Sequence, residues 1–328
     1  MLPSQITVAI CAHRPRFEIF VQALDALRKQ TLSSDQWELL VVGDAQTHAT
    51  ARRAGLSWHP RVKLLEEEPK GIARARVRAL KEFLQGGSDL LVFVDDDNLL
   101  APDFLEVGLD LAKREPNLGC WGGQLIGSFE VDPPEWIDEF LKYIAVFPFE
   151  EEIRSHSYAG SYDAIPPTAG MFLRRPVAEH HLRLVESAPA RLALGGTRAA
   201  PICGEDMDLG FGAFDLGYEI GRFPQLKLTH LISSDRLTEN YIARLLTSIR
   251  AGTIILEAIR GIDRPTRSPL SLWWDRVRAL RLPPRHRKFM LAETEGEFLA
   301  RRILGDLKFP GFLPANTGRS MDPVEAAG

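Results

Sequence analysis

Cysteine is scarce in this sequence, with three residues in a chain of 328, namely Cys11, Cys120 and Cys203. They lie far apart and form no CxxC pair, which argues against a disulfide framework or a thiolate zinc site and is typical of a reducing compartment. Long apolar runs are absent too, since none reaches the roughly 18 residues of a membrane span. The N-terminus passes into a strand pattern without a secretory signal. We therefore expect a cytoplasmic protein.

Neither sign of charge dominates the chain, because 40 Lys and Arg stand against 44 Asp and Glu. The net charge of -4 gives no reason to expect nucleic acid as a partner. Residues 241–290 differ, with eleven basic residues against three acidic ones. Within them Trp273 and Trp274 lie among arginines, which is the pattern of an amphipathic helix on the cytoplasmic face of an anionic membrane. A solvated face or an oligomer contact explains this segment equally well.

Strand and helix patterns alternate through the first hundred residues. Short apolar runs predict buried strands, and apolar residues at helical spacing predict helices at 17–30 and 72–84; the strands are expected at 6–11, 37–42, 61–65 and 90–94. This alternation predicts an α/β fold with a mostly parallel, doubly wound sheet. Ligands bind such sheets beyond the carboxyl ends of the strands, where the strand order reverses.

The strand predicted at 90–94 runs directly into Asp95, Asp96 and Asp97. Three adjacent carboxylates repel one another unless a cation offsets their charge. On an extended chain Asp95 and Asp97 point to the same side, as ligands of Mg²⁺ or Mn²⁺ would. The alternative is a solvated acidic turn or helix cap. His13 and Asp44 follow two other predicted strands, so they are expected in the same crevice, which favours the metal site.

Several stretches, in this order and spacing, resemble the family-2 glycosyltransferases of the GT-A fold. They are Ile6–Cys11 with Leu39–Asp44, Gly71–Arg76, Phe93–Asp97 as a DxD signature, and Cys203–Leu209 as a Glu-Asp signature. Within the family, residues 94–99, 121–124 and 129–134 resemble the hormogonium-polysaccharide type of bacterial transferase. The resemblance covers about residues 5–235.

The resemblance implies a domain organisation. Residues 1–235 would form the GT-A domain, with a nucleotide-binding half at 1–100 and an acceptor half at 101–235. A helical, basic C-terminal region would follow at 236–310, and 311–328 is expected to be a disordered tail.

The donor site implied by this resemblance holds a nucleotide-diphosphate sugar and a divalent cation. Its metal ligands would be Asp97, His230 and Asp95. Asp95 would either coordinate the cation or hold the ribose of the donor, with Asp96 in support of donor binding. Either Mn²⁺ or Mg²⁺ would serve, and an imidazole ligand slightly favours Mn²⁺. By itself, His230 would more commonly be a structural or exposed histidine.

The nucleotide would be bound by residues at the first two strand ends and by one arginine of the basic helix, namely Cys11, Ala12, His13, Asp44 and Arg76. Asp44 is equally well explained as a turn residue, and the arginine as part of a solvated helix face. The family usually has Thr-Tyr-Asn and Asp-Asp-Gly-Ser after these strands, where this chain has residues 12–14 and 43–46. The base therefore stays open between a UDP-sugar and a GDP-sugar.

The Glu205-Asp206 pair at the start of a predicted helix implies the catalytic base. Asp206 would take the proton of the acceptor hydroxyl and Glu205 would hold the acceptor, in a single inverting step. A simple acidic cap is the alternative. Gly170 and Met171 resemble the floor of the acceptor site, and Trp136 or Trp121 would stack on a sugar, although aromatic residues are more commonly part of a core. The acceptor would be a saccharide or a lipid-linked molecule.

The expected function is metal-dependent, inverting sugar transfer in polysaccharide or glycoconjugate synthesis. A nucleotidyltransferase would also use a carboxylate-bound Mg²⁺ on such a sheet, but residues 12–15 are not the Gly-rich, basic loop it normally has after the first strand. A non-catalytic protein that binds sugar nucleotides is a third possibility. A dehydrogenase is disfavoured because no GxGxxG follows an early strand.

Overall fold

The apolar runs of the N-terminal half form parallel strands. The computed structural model describes residues 5–67, 71–158, 161–195, 202–262 and 267–306. In it the first four strands lie side by side in the order β3-β2-β1-β4; they are β1 (Ile6–Cys11), β2 (Trp37–Gly43), β3 (Val62–Glu66) and β4 (Leu90–Val94). All three pairings between them are parallel, as the alternating pattern predicts.

Helices bury both faces of these strands. Side chains of α1 (Phe17–Arg28) and α2 (Ala45–Ala54) share one buried cluster with the inward residues of β1 and β2. Side chains of α3 (Ile72–Gln85) lie in the cluster on the opposite face. Strands β1, β2 and β4 are consequently buried along their whole length, which explains why their sequences are mostly apolar rather than alternating. The two polar exceptions hydrogen-bond to each other, since the Thr7 hydroxyl donates to Glu38.

The second half of the sheet is mixed. It contains β5 (Asn98–Leu100), β6 (Leu118–Phe129), β7 (Ile153–Ser155), β8 (Met171–Arg174) and β9 (Glu219–Ile232). Strand β8 is antiparallel to both β4 and β6, while β6 and β9 are parallel and β5 and β7 run antiparallel to β9. The predicted α/β class is confirmed. The strands from β1 to β4 are parallel to one another, and the antiparallel pairings begin with β8.

The remaining helices begin with α4 (Phe104–Arg114), α5 (Arg175–Ser187) and α6 (Glu205–Asp215), and they end with α7 (Glu239–Ile259), α8 (Pro269–Ala279) and α9 (Pro284–Asp306). Short 3-10 helices lie at Glu135–Ile144, Pro189–Gly195 and Ser234–Leu237. The predicted amphipathic helix around Trp273 and Trp274 is α8, and the side chain of Ser268 caps its start. The tail predicted at 311–328 lies outside the described residues.

Helix α7 is part of the main core. Its residues Ala251, Ile255 and Leu256 are fully buried. They belong to the cluster on the α3 face of the sheet, which also contains Ala9 of β1. Helix α9 packs along α7, and α8 packs on α9. The predicted boundary at residue 235 stays a prediction. In the part of the chain that the structure describes, no helix has the length and apolarity needed to cross a bilayer.

Candidate active site

The three aspartates lie in a tight turn between β4 and β5. The backbone N–H of Asn98 donates to the carbonyl of Asp95 over 3.2 Å, and the side chain of Asn98 accepts from the Asp95 N–H over 3.0 Å. The expectation that the chain stays extended here is therefore wrong, because Asn98 closes a turn. Strand β5 then pairs with β9 so that Asn98 lies opposite His230, which brings the aspartates to that histidine.

Asp97 and His230 form a pair that a guanidinium bridges. His230 Nε2 lies 3.4 Å from Asp97 Oδ2. Arg236, on the 3-10 helix after β9, contacts the same Asp97 oxygen and His230 Nε2, each over 2.8 Å. The other ring nitrogen, Nδ1, lies 3.2 Å from the carbonyl of Ala145. With a proton on Nδ1, that nitrogen would donate to the Ala145 carbonyl and Nε2 would accept from the Arg236 guanidinium.

The three aspartates differ in pKa because their surroundings differ. Removal from water and the neighbouring carboxylates raise the pKa of Asp96 to about 7. Burial also raises the pKa of Asp95, although Arg76 opposes this. For Asp97, burial acts in the same direction, but His230 and Arg236 outweigh it and lower the pKa. Asp97 is therefore the carboxylate of this turn that is most firmly held as an anion.

Arg76 joins this turn to the start of α6. Its guanidinium donates to Glu205 Oε1 and lies 3.5 Å from Asp95 Oδ1, and its side chain is 12% exposed. Arg76 comes from α3, Asp95 from the end of β4, and Glu205 from the first turn of α6. Three segments that are distant in the sequence thus meet at one point.

The start of α6 presents Asp206 beside Glu205. Asp206 Oδ1 accepts the N–H of Met207 over 2.8 Å. Burial raises the pKa of Asp206, and the charge of Arg76 partly opposes that shift. The helix is held from behind by Asp208, which is fully buried and contacts Arg260 over 2.8 Å. A carboxyl group with a raised pKa on a fixed helix is suited to accept a proton.

The loops after β1 and β2 also meet. Asp44 caps α2 by accepting the Thr47 N–H over 2.9 Å, and its second oxygen lies 3.3 Å from Nδ1 of the exposed His13. Cys11 is buried, which raises the pKa of its thiol to about 12, so its side chain is not a nucleophile. The N–H of Ala12 donates to Val42. The capping role of Asp44 is thus present, and its contact with a nucleotide stays a prediction.

The predicted acceptor residues have different environments. Gly170 has a φ of 81°, and its N–H donates to the Phe93 carbonyl over 2.9 Å. The side chain of Met171 is fully buried, so only its backbone can form part of a floor. Trp121 is wrong as a sugar platform because it is fully buried and stacks on Phe172.

Trp136 lies away from these residues in an aromatic cluster. It contacts Phe140 and Phe289, and Arg285 lies over its ring. The ring is only partly buried, so its stacking on an acceptor stays a prediction.

The model of the family described as Glycosyl transferase family 2 matches residues 7–180, more than half of the chain. The chain belongs to glycosyl transferase family 2. The matched range contains the donor-side residues from Cys11 to Asp97, as well as Gly170 and Met171. It ends before Glu205, Asp206 and His230. This family 2 protein is therefore a glycosyltransferase with the GT-A fold.

The family 2 protein is similar to other glycosyltransferases. The glucosyl-dolichyl phosphate glucuronosyltransferase of Haloferax volcanii is 21% identical over 136 residues, which are 41% of this chain and 42% of that enzyme. The chain thus spans less than half the length of this curated relative.

Solved structures share the fold of this family 2 protein. TarS residues 1–349 of S. aureus, in complex with UDP-GlcNAc, matches with a TM-score of 0.52 and 16% identity over 92% of this chain and 80% of that one. The mannosyltransferase PcManGT of Pyrobaculum calidifontis, in complex with GDP-Man and Mn²⁺, matches with a TM-score of 0.50 and 18% identity, covering 93% of this chain and 77% of that one.

Two residues of this family 2 site were not predicted from the sequence. Arg236 bridges Asp97 and His230, and Asn98 closes the aspartate turn. The signal for Asn98 was its place directly after three aspartates. Arg236 lies six residues after His230, but no periodic pattern links them, because a strand end and a 3-10 turn separate the two.

A close contact supports the start of α6. A methyl group on Gly252 of α7 would lie 1.8 Å from the carbonyl oxygen of Cys203, the residue before Gly204. Changing Gly252 to alanine must therefore displace the segment that carries Glu205 and Asp206. Overpacking of this kind costs about 1–3 kcal/mol of unfolding free energy, and a displacement near 1 Å lowers an enzymatic rate by roughly 100-fold.

We expect Gly252→Ala to lower both the melting temperature and the rate of sugar transfer, measured on the purified chain. Gly305→Ala is the matched control, because nothing lies within 4 Å of a methyl group at that helical position. If both variants had the melting temperature and transfer rate of the parent protein, the close contact at Gly252 would matter for neither stability nor activity.

Proposed function

We propose that this protein is a metal-dependent, inverting glycosyltransferase that moves a sugar from a nucleotide-diphosphate sugar to a hydroxyl group in polysaccharide or glycoconjugate synthesis. The observation that carries the proposal is the junction made by Arg76, which contacts both Asp95 and Glu205. Arg76 thereby links a predicted donor residue to the predicted catalytic pair, at the edge of the sheet where β4 ends. A scaffold that only binds sugar nucleotides has no need for a carboxylate pair at this place.

The residues around Asp97 fit a divalent cation whose remaining ligands would come from the substrate. Among the described residues, no three His, Cys, Asp or Glu side chains converge as a ready-made metal site. Asp97 and His230 nevertheless converge within 3.4 Å, and both already contact one cationic group, Arg236. Mg²⁺ is commonly held by one or two carboxylates plus substrate phosphates, and Mn²⁺ also accepts imidazole. Asp97 and His230 would hold the cation, with Asp95 next to them.

The cation, when bound, would offset the charge that grows on the diphosphate leaving group. Arg76 would contact the same diphosphate from the α3 side. His13 and Asp44, with the backbone of Cys11 and Ala12, would hold the base and ribose. TarS and PcManGT were solved with UDP-GlcNAc and GDP-Man, which supports a UDP- or GDP-sugar as donor.

On the acceptor side, Asp206 would remove the proton from the attacking hydroxyl group while Glu205 orients it. The oxygen then attacks the anomeric carbon from the face opposite to the diphosphate, so that one bond forms as the other breaks and the configuration inverts. The raised pKa of Asp206 suits this role, since a general base works best when its pKa approaches the working pH. The acceptor would be a saccharide or a lipid-linked molecule that lies over Gly170.

A panel of UDP- and GDP-sugars tests the proposal. We expect the purified chain to release nucleoside diphosphate from one donor in the presence of Mn²⁺ or Mg²⁺, and to lose that activity with EDTA. NMR of the product would show whether the anomeric configuration inverts. Release of pyrophosphate from a sugar phosphate and a nucleoside triphosphate would instead identify a nucleotidyltransferase.

Arg236 gives a separate test of the proposed metal site. Because its guanidinium contacts both Asp97 and His230, Mn²⁺ alone must displace it. We expect Arg236→Gln to bind Mn²⁺ more tightly than the parent chain in the absence of nucleotide, by roughly tenfold, since one partly buried like charge is removed. Electron paramagnetic resonance of free Mn²⁺ measures this affinity directly.

The matched control is Arg154→Gln, because Arg154 forms its ion pairs with Glu115 and Glu152 instead. Its Mn²⁺ affinity should equal that of the parent chain. Equal affinities for all three proteins would mean that Asp97 and His230 do not hold the metal.

A further inference from the structure

Helix α8 carries an apolar outer face. Four of its residues, or residues next to it, expose half or more of a large apolar side chain, namely Leu270 at 64%, Trp273 at 52%, Trp274 at 50% and Leu280 at 66%. Their spacing of three, one and six residues places them along one side of the helix. The other exposed large apolar residues of the described chain belong to different elements, namely Ile126, Val131, Tyr162, Leu216 and, on the neighbouring helix α9, Leu291.

The opposite face of α8 is anchored to the protein. Leu272 and Ala279 are fully buried, and Asp275 is buried in an ion pair with Arg267. At the end of the helix, Arg287 of α9 donates to the carbonyls of Ala279, Leu280 and Leu282. The outer face is therefore held in a fixed orientation rather than left on a loose segment.

Positive charge surrounds this outer face. Between residues 267 and 288 there are seven Lys and Arg residues against one acid, Asp275. Arg285 and Lys288 contact Glu239. The side chain of Arg278 is 74% exposed and lies 3.6 Å from Asp275, and Arg281 is also exposed. Apolar side chains flanked by exposed arginines thus occupy one surface about 16 Å long, at 1.5 Å per helical residue.

We propose that the outer face of α8 docks on an anionic lipid surface, an interaction that goes beyond the proposed sugar transfer and does not depend on it. Indole rings favour the boundary between headgroups and acyl chains, and arginines extend from there to lipid phosphates. The helix would lie in the plane of the membrane surface, with Trp273 and Trp274 inserted. Exposed arginines lie beside the apolar side chains of this surface, which matches a headgroup layer better than the dry centre of a protein interface.

Flotation of the full chain with lipid vesicles tests this docking. Vesicles of phosphatidylglycerol and phosphatidylcholine are compared with vesicles of phosphatidylcholine alone. We expect the protein to float with the anionic vesicles, and to float less when salt is raised from about 0.1 M to about 0.5 M, because screening weakens exposed charges. The variants are Trp273→Ser with Trp274→Ser, and Arg278→Glu with Arg281→Glu.

Each double variant should partition to the anionic vesicles roughly tenfold less than the parent chain. These side chains are exposed, so melting temperatures should be unchanged. The controls Val131→Ser and Arg183→Glu change exposed residues elsewhere and should bind as the parent does. The proposal is overturned if the parent chain does not float, if both double variants float like the parent, or if sedimentation shows a dimer that the tryptophan variant abolishes.

Discussion

Replacement of Asp97 by alanine is expected to reduce sugar transfer by about a thousandfold or more, the size of effect seen when a group that stabilises developing charge is removed. Asp97 is the carboxylate that contacts both His230 and Arg236. Without it, the proposed metal site keeps His230, with Asp95 next to it, and the Arg236 guanidinium loses its carboxylate partner. The measurement is nucleoside diphosphate release with the donor identified from the panel, at saturating Mn²⁺.

Two comparisons make the Asp97 result specific. Asp97→Asn keeps the size of the side chain and should be nearly as inactive, because it loses the charge. Asp110→Ala removes an exposed carboxylate of α4, which lies 3.8 Å from Lys113, and should leave transfer unchanged. Full activity in Asp97→Ala would end the metal assignment. A parent chain that binds a nucleotide sugar but never transfers it would point to a non-catalytic binding protein.

Replacement of Asp206 by asparagine is expected to lower kcat by about a thousandfold, within the usual range for loss of a general base. The amide keeps the hydrogen bond that the Met207 N–H donates, so the start of α6 should keep its geometry. The donor affinity should change little, because the proposed role of Asp206 is to take the proton of the acceptor hydroxyl group. Steady-state kinetics with varied donor and acceptor separate the two effects.

The pH dependence distinguishes a base from a positioning residue. Burial raises the pKa of Asp206 above that of an ordinary aspartate, so activity should fall as the pH drops through this raised value. Asp206→Asn should lose that acidic limb together with the rate. Asp103→Asn, at the exposed start of α4, should keep both. A thousandfold loss with an unchanged acidic limb would assign the base to another group.

Much of the N-terminal half could be predicted because its signals are local. Strands β1, β2 and β4 are mostly apolar runs, and each is followed within two residues by a polar residue at the same edge of the sheet. Asp97, Arg76 and Glu205 were singled out for their chemical type, and the structure brings them into one region. Their individual roles remain predictions.

The second half was less predictable because its order depends on long-range contacts. Strand β6 contains four glycines, which disfavour strands in isolation. Leu226 and Pro166 press against its Gly123 and Gly122 where a larger side chain would not fit. The turn at Asp96 and the position of Arg236 likewise follow from the pairing of β5 with β9. None of these contacts produces a repeating pattern in the sequence from which it could be predicted.

The burial of α7 has a practical consequence for protein engineering. Ala251, Ile255 and Leu256 belong to the same buried cluster as side chains of α3, and Gly252 lies against the segment that leads into α6. A shortened chain that stops at residue 235 would leave this layer open to water and remove the support behind Asp206. Swapping the C-terminal helices with those of a relative would therefore alter the start of α6 as well, so chimeras need to carry α6 and α7 as one exchangeable block.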